Sequence, residues 1–209
     1  KDILYFRIDR KRKLPITTLL YALGYKMEEI LDLFYDFKIF NYDKNTKKWK
    51  TKFNPDDYKR PIKLGNDLIN STNGKKILKK GSKINLVIAK KIFEEGLKNI
   101  LVSSDYFLGK YIKNKLLDPS TQETFLKSGA SISQEDLDRL IELNVHSLVI
   151  ADIDPINKGS YLIDTLNIDK NSTKEEAIND IYKVLRPGEP PSFDIANGIF
   201  NNLFFTSVR

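Results

Sequence analysis

The 209 residues carry 35 basic and 28 acidic side chains, a net charge of +7, and 41% of them are hydrophobic. Zero cysteines exclude disulfides, thiolate nucleophiles and cysteine metal sites, and a single histidine, His146, excludes a multi-histidine cage and argues against histidine catalysis. No apolar run approaches the roughly 18 residues needed to span a bilayer.

The length suits one large domain or two small ones, able to bury roughly 70% of the unfolded surface. Absent cysteines suit a reducing cytoplasm. The positive charge favours acidic partners such as nucleic acid, although a solvated lysine-rich surface gives the same sum. The chain opens at Lys1 without an initiator methionine, signal peptide or transit pattern, so a piece of a longer polypeptide is expected.

In chain order, the first feature is Arg7-Ile8-Asp9-Arg10-Lys11-Arg12-Lys13-Leu14-Pro15, with five basic residues among the seven from Arg7 to Lys13. Such density is hard to bury without anionic partners. Ile16, Leu19, Leu20 and Leu23 follow at the spacing of a core-facing helical stripe, closed by Gly24. Met27, Ile30, Leu31 and Phe34 mark a second helix. Two short helices around a glycine fit a DNA-reading helix-turn-helix or an ordinary helical hairpin. The acidic Glu28, Glu29, Asp32 and Asp36 favour the hairpin, since phosphates would repel them. Phe37 to Tyr42 and Lys48 to Phe53 are expected strands around the turn Asp43-Lys44-Asn45-Thr46. Trp49 among the lysines is expected to pack on a sheet face. From about Asn54 to Asn70 periodicity weakens, with Pro55 and Pro61, as in a linker or the entry to a new module.

An internal repeat follows. Leu78-Lys79-Lys80-Gly81-Ser82-Lys83-Ile84 aligns with Leu126-Lys127-Ser128-Gly129-Ala130-Ser131-Ile132 at a shift of 48 residues. Without a gap, Ala89, Ile92, Glu94, Leu97 and Ile100 then meet Leu137, Leu140, Glu142, Val145 and Leu148. Each copy is expected to form a turn, a helix and a strand, the two sharing a core. Gly109-Lys110-Tyr111-Ile112 recurs as Gly159-Ser160-Tyr161-Leu162 and extends the pattern. His146 aligns with Lys98, so its position is expected to be exposed. In the last third, Ser172 with Glu175 has capping-box spacing ahead of Ala177, Ile178, Ile181, Tyr182 and Leu185. Arg186-Pro187-Gly188-Glu189-Pro190-Pro191 must end that helix. Ser192 can cap another, burying Phe193, Ala196, Phe200, Leu203 and Phe204.

Chemistry is sparse. No dinucleotide, P-loop, zincin or nucleophile-elbow motif is present. Asp152-Ile153-Asp154 matches a metal-holding DxD, but Asp154-Pro155 is equally a turn opener. Glu94 and Glu142 fit solvated faces better than an acid–base pair. Two constellations remain. The basic stretch with Arg10, Lys11, Arg12 and Lys13 could neutralise phosphates without reading sequence. Arg186 on its proline-stiffened loop could do the same, or could pair with Glu189 or contact the helix C-terminus.

The opening basic stretch with Ala22-Leu23-Gly24-Tyr25, and Arg186-Pro187-Gly188-Glu189-Pro190-Pro191 with Asn202-Leu203-Phe204-Phe205, resemble the β subunit of bacterial RNA polymerase, in its β lobe. Asp152-Ile153-Asp154, Gly159-Ser160-Tyr161 and Thr165-Leu166 resemble it too. Lys26 departs from the family, which often has a threonine N-cap there, so the second helix is expected to fray at its start.

The resemblance implies an α+β fold, with a helical lobe built from both chain ends (1–40 plus 157–209) and a lineage-specific insertion at 41–156. The insertion would hold the two turn-helix-strand repeats, at about 70–112 and 118–162. It implies a non-catalytic wall of the DNA cleft. Arg10, Lys11, Arg12 and Lys13 would face the downstream duplex, and Arg186 would approach the non-template strand. Implied partners are DNA, the β′ and α subunits, a sigma factor, and secondary-channel factors of the DksA type docking on the insertion. No cofactor is expected in the chain, because the catalytic magnesium lies on another subunit, and the location implied is the bacterial cytoplasm at the nucleoid. A protein-docking module without direct DNA contact is the alternative.

Overall fold

The computed structural model describes residues 2–10, 12–153 and 159–206. In chain order the elements are β1 (Tyr5–Arg7), β2 (Lys13–Pro15), α1 (Ile16–Ala22), α2 (Met27–Phe34), β3 (Phe37–Asp43), β4 (Lys48–Lys52), β5 (Ile62–Lys63), β6 (Leu68–Asn70), β7 (Lys76–Leu78) and β8 (Lys83–Ile84). Then come α3 (Leu86–Glu94), β9 (Asn99–Val102), β10 (Leu116–Leu117), β11 (Thr124–Leu126), α4 (Gln134–Glu142), β12 (Ser147–Ala151), α5 (Tyr161–Ile168), α6 (Lys174–Leu185) and α7 (Phe193–Phe204). The architecture is mixed α+β, in two compact units: Lys1–Asp36 with Ile153–Arg209, and Phe37–Asp152.

The first unit is helical. α1 packs on α6 and α5, α2 on α5, and α6 on α7. Its buried residues include Tyr21, Ala22, Ile30, Leu31, Leu162, Ile163, Leu166, Ala177, Ile178, Ile181 and Phe200. The face that α1 buries is not the expected one. Thr17, Thr18, Tyr21 and Ala22 point inward, while Ile16, Leu19 and Leu20 are half-buried and Leu23 is exposed. The reason is polar. Thr17 Oγ1 and Thr18 Oγ1 donate to Asp169 Oδ2 at 2.5 and 2.9 Å, and Asn171 bridges Asp169 Oδ1 (3.2 Å) to Asp180 Oδ2 (3.0 Å). Satisfied this way, the hydroxyls cost little to bury. Burial, with the charges of Asp169 and Glu28, pushes the Tyr21 phenol up to about 12.

Helix starts also differ in detail. The cap of α6 is Thr173 rather than Ser172: Thr173 Oγ1 accepts from Glu176 N, and Glu176 Oε2 accepts from Thr173 N and Ser172 N. At α2, Lys26 has no acceptor to offer, but Glu29 Oε2 accepts from Lys26 N at 2.7 Å and helix begins at Met27 all the same. On α7, Ala196 and Phe200 are buried but Leu203 and Phe204 are exposed, against expectation.

The second unit is built on a six-stranded antiparallel sheet in the order β12-β3-β4-β9-β6-β7. Asp43 organises the β3–β4 turn, accepting from Asn45 N and Thr46 Oγ1. Trp49 is 2% exposed, edge-on to Phe107, with its indole N–H donating to Ser104 Oγ. The stretch expected to be a linker is ordered: Asn54 Oδ1 accepts from Asp56 N to start a 3-10 turn at Pro55–Tyr58, which buries Tyr58, and β5 and β6 follow.

Two stretches of this unit share one backbone pattern, 48 residues apart. β5 pairs with β8 through Ile62↔Ile84 and Lys63↔Lys83, and a bridge joins Tyr111 to Ser131. Leu64 exchanges hydrogen bonds with Gly81 and Ser82, as Ile112 does with Gly129 and Ala130. The hairpins β6–β7 and β10–β11 pair Leu68↔Leu78 and Leu116↔Leu126, each with a bulge at the next residue. Asn85 caps α3 by accepting from Ile88 N, and Ser133 caps α4 by accepting from Asp136 N. Gly96 and Asn144, at φ 109° and 51°, end the two helices in the left-handed region.

The apolar residues do not form the single shared core expected. Phe53, Tyr58, Leu64, Leu68, Ile84, Ala89, Ile92 and Leu97 make one cluster, and Phe40, Trp49, Phe107, Ile112, Ile132, Leu137, Leu140 and Leu148 belong to the other. Ile100 packs against both. The pairing of Gly109–Ile112 with Gly159–Leu162 also fails locally. Tyr111 and Ile112 make strand bridges, whereas Tyr161 and Leu162 start α5.

Candidate nucleic-acid interface

The basic stretch is a hairpin. β1 and β2 pair through Tyr5↔Pro15, Phe6↔Leu14 and Arg7↔Lys13. The hairpin is tied to the helices where Leu4 N donates to Thr165 Oγ1 (3.0 Å) and Ile16 N to Leu4 O (3.0 Å). Its turn is held from within. Asp9 Oδ1 accepts from Arg12 N at 2.8 Å, and Arg7 Nη1 donates to Arg10 O at 2.9 Å. Arg12 Nε also sits 3.7 Å from Asp9 Oδ2, and Lys13 Nζ lies 4.1 Å above the Tyr5 ring. Arg7, Arg10, Arg12 and Lys13 are all exposed, and Lys11 lies outside the described residues.

The stretch thus divides labour. Arg7 and Asp9 brace the turn, Lys13 rests on an aromatic face, and the Arg10 side chain projects into solvent at the tip. Exposed cations on a short hairpin can neutralise phosphates along a backbone. Contacts of that kind position a protein on a duplex without reading its sequence.

Arg186 closes α6, its N–H donating to Tyr182 O at 2.8 Å. Glu189 is engaged elsewhere: its Oε2 accepts from the Tyr182 hydroxyl at 2.8 Å, which raises the Tyr182 pKa and pins the proline loop back on the helix. Among the described residues Arg186 makes no ion pair with Glu189, so its exposed guanidinium remains beside an open groove lined by Leu185, Ile199, Asn202 and Leu203. No hydrogen bond or ion pair among the described residues joins the hairpin cations to Arg186.

The other candidates have structural roles. Lys38 Nζ lies 2.7 Å from Asp57 Oδ2 and 3.5 Å from Asp152 Oδ1. Burial opposes the Lys38 charge, but the Asp57 hydrogen bond and the two carboxylates outweigh it and hold the pKa above the usual lysine value. Asp152 is therefore a strand-end partner of Lys38, and Asp154 lies outside the described residues. No cluster of three or more metal-ligating side chains occurs among the described residues. His146, Glu94 and Glu142 are exposed. Neither the Lys38 pairing nor the Thr17, Thr18, Asp169 and Asn171 network is signalled locally in the sequence, because the partners of each are far apart along the chain.

The cationic hairpin and the guanidinium on its stiff loop both belong to the helical unit, and no metal-ligating cluster accompanies them among the described residues. No family model matches the chain. Along all 209 residues, however, it is 42% identical to the DNA-directed RNA polymerase subunit beta of Rickettsia felis and of Rickettsia prowazekii, and 43% identical to that of Rickettsia massiliae. The chain is a homologue, from end to end, of one segment of the RNA polymerase β subunit, and it spans 15% of the length of those relatives.

Proposed function

We propose that the chain is the lobe segment of an RNA polymerase β subunit and forms part of the DNA cleft wall. In this reading residues 1–40 and 157–209 make the lobe proper and 41–156 the insertion. The observation that carries it is the hairpin tip, exposed and cationic, in a chain homologous throughout to a polymerase subunit. Arg10, Lys11, Arg12 and Lys13 neutralise downstream duplex phosphates, and Arg186 approaches the non-template strand. The chain contributes no ligand to the catalytic magnesium and performs no chemistry alone. It acts by holding the duplex for a nucleotidyltransferase assembled with β′, α and sigma subunits. The insertion serves as the docking surface for secondary-channel factors. The matching hydrogen bonds around Gly81 and Gly129 and the matching caps of α3 and α4 support reading it as two copies of one design.

The test is a polymerase assembled with Arg10, Lys11 and Arg12 neutralised. Its promoter binding should show a log K against log[salt] slope shallower by up to about 3. An unchanged slope removes the phosphate assignment.

A further inference from the structure

Within Phe37–Asp152 the chain supplies its own control, because 62–102 and 110–150 share a backbone pattern but not a charge. The first stretch holds nine basic and three acidic residues, the second five and six. The contrast is sharpest on the outer faces of α3 and α4. α3 buries Ala89 and Ile92, and α4 buries Leu137 and Leu140. The solvent-facing series at i, i+3, i+4 and i+7 are therefore Val87, Lys90, Lys91, Glu94 on one helix and Glu135, Asp138, Arg139, Glu142 on the other.

Val87 is 76% exposed and Ile88 37%, at the positions where α4 carries Glu135 and Asp136. The turn leading into α3 has Lys80 and Lys83, where the other copy has Ser128 and Ser131. Arg139 is held by Asp118 at 3.5 Å and by the Phe125 ring, whereas the first copy has Asn70 and Ile77 at the positions of Asp118 and Phe125, and Lys91 pairs with Glu95 at 3.9 Å. One exposed valine means little by itself. Here it lies between lysines on a scaffold that carries glutamate at the same place 48 residues later, so folding does not demand it.

We propose that the outer face of α3, with the Lys80–Lys83 turn, docks an acidic amphipathic protein segment. Its apolar row covers Val87 and Ile88, and its carboxylates meet Lys83, Lys90 and Lys91. Phosphates would answer the lysines but gain nothing from the two apolar side chains. The assignment rests on the docking reading of the insertion and narrows it to one face.

The test uses the whole chain and a synthetic helical peptide with one leucine face and one glutamate face, random-sequence duplex DNA serving as competitor. The peptide should bind one to one. Val87→Glu with Lys90→Asp, residues that α4 already carries at those positions, should weaken it at least about tenfold. The converse pair, Glu135→Val with Asp138→Lys, should add a second site and raise the stoichiometry to two. Unchanged peptide affinity in the first variant, or DNA displacing the peptide at equal site concentration, overturns the proposal. In assembled polymerase, factor response lost on deleting Phe37–Asp152 but kept in the Val87→Glu, Lys90→Asp variant sinks this face alone. Response kept in both sinks the docking reading itself.

Discussion

Asp169 shows how one side chain can decide which way a helix faces. Its Oδ2 accepts from Thr17 and Thr18, and its Oδ1 accepts from the backbone and side chain of Asn171. Asp169→Ala should strip the acceptor from two fully buried hydroxyls, leaving Thr18 only the long 3.4 Å contact from Asn171 Nδ2, and cost about 2–4 kcal/mol, read as a lower urea midpoint. Asp169→Asn should recover part of the loss. Hydrophobic periodicity could not find this. Ile16, Leu19, Leu20 and Leu23 make the better apolar stripe, and only a carboxylate some 150 residues away makes burying two threonines the better choice. The basic hairpin was plain in the sequence as charge, but the bracing of its turn by Asp9 and Arg7 emerges only once β1 and β2 pair.

For elements, legibility follows how locally they are determined. α3 and α4 were visible because each is a short amphipathic run with an N-cap and a left-handed residue at its end. The 48-residue correspondence was visible where Gly81 and Gly129 each meet a positive φ, at 85° and 74°. It was invisible at Ile62–Leu64, whose likeness to 110–112 lies in hydrogen-bond register rather than in side chains. Helix α7 was placed correctly but its buried face was overextended, since burial stops at Phe200 and Leu203 and Phe204 are exposed. In that helix Gly198 is exposed, lacks a positive φ and has nothing within 4 Å of where a Cβ would stand. Gly198→Ala should therefore stabilise the chain by about 0.5–1 kcal/mol, seen as a higher melting temperature.

At the scale of the whole chain there are two compact units, and within Phe37–Asp152 the apolar residues gather in two clusters, one under each helix α3 and α4. Removing Phe37–Asp152 and joining the cut ends through a short glycine-serine linker should leave the helical unit folded, with its far-ultraviolet helical signal and Tyr21 still shielded at alkaline pH. The sign is fixed: a phenol raised to about 12 adds stability that is complete below its unfolded value near 10 and is lost as pH climbs through 12. A deletion variant whose tyrosines all titrate near 10 would show instead that the helical unit depends on the sheet.

Phe37 and Ala151 are direct partners on the β3–β12 ladder, so the chain enters and leaves this unit about 5 Å apart. A module entered and left at a single rung of one ladder makes almost no demand on the polypeptide at either side. Over generations it could be gained, duplicated, recharged or discarded while the helices of Tyr21 and Ile178 kept their places. The sheet would then vary at its own pace, and the hairpin of Arg10 and Arg12 would stay with the helices that hold it.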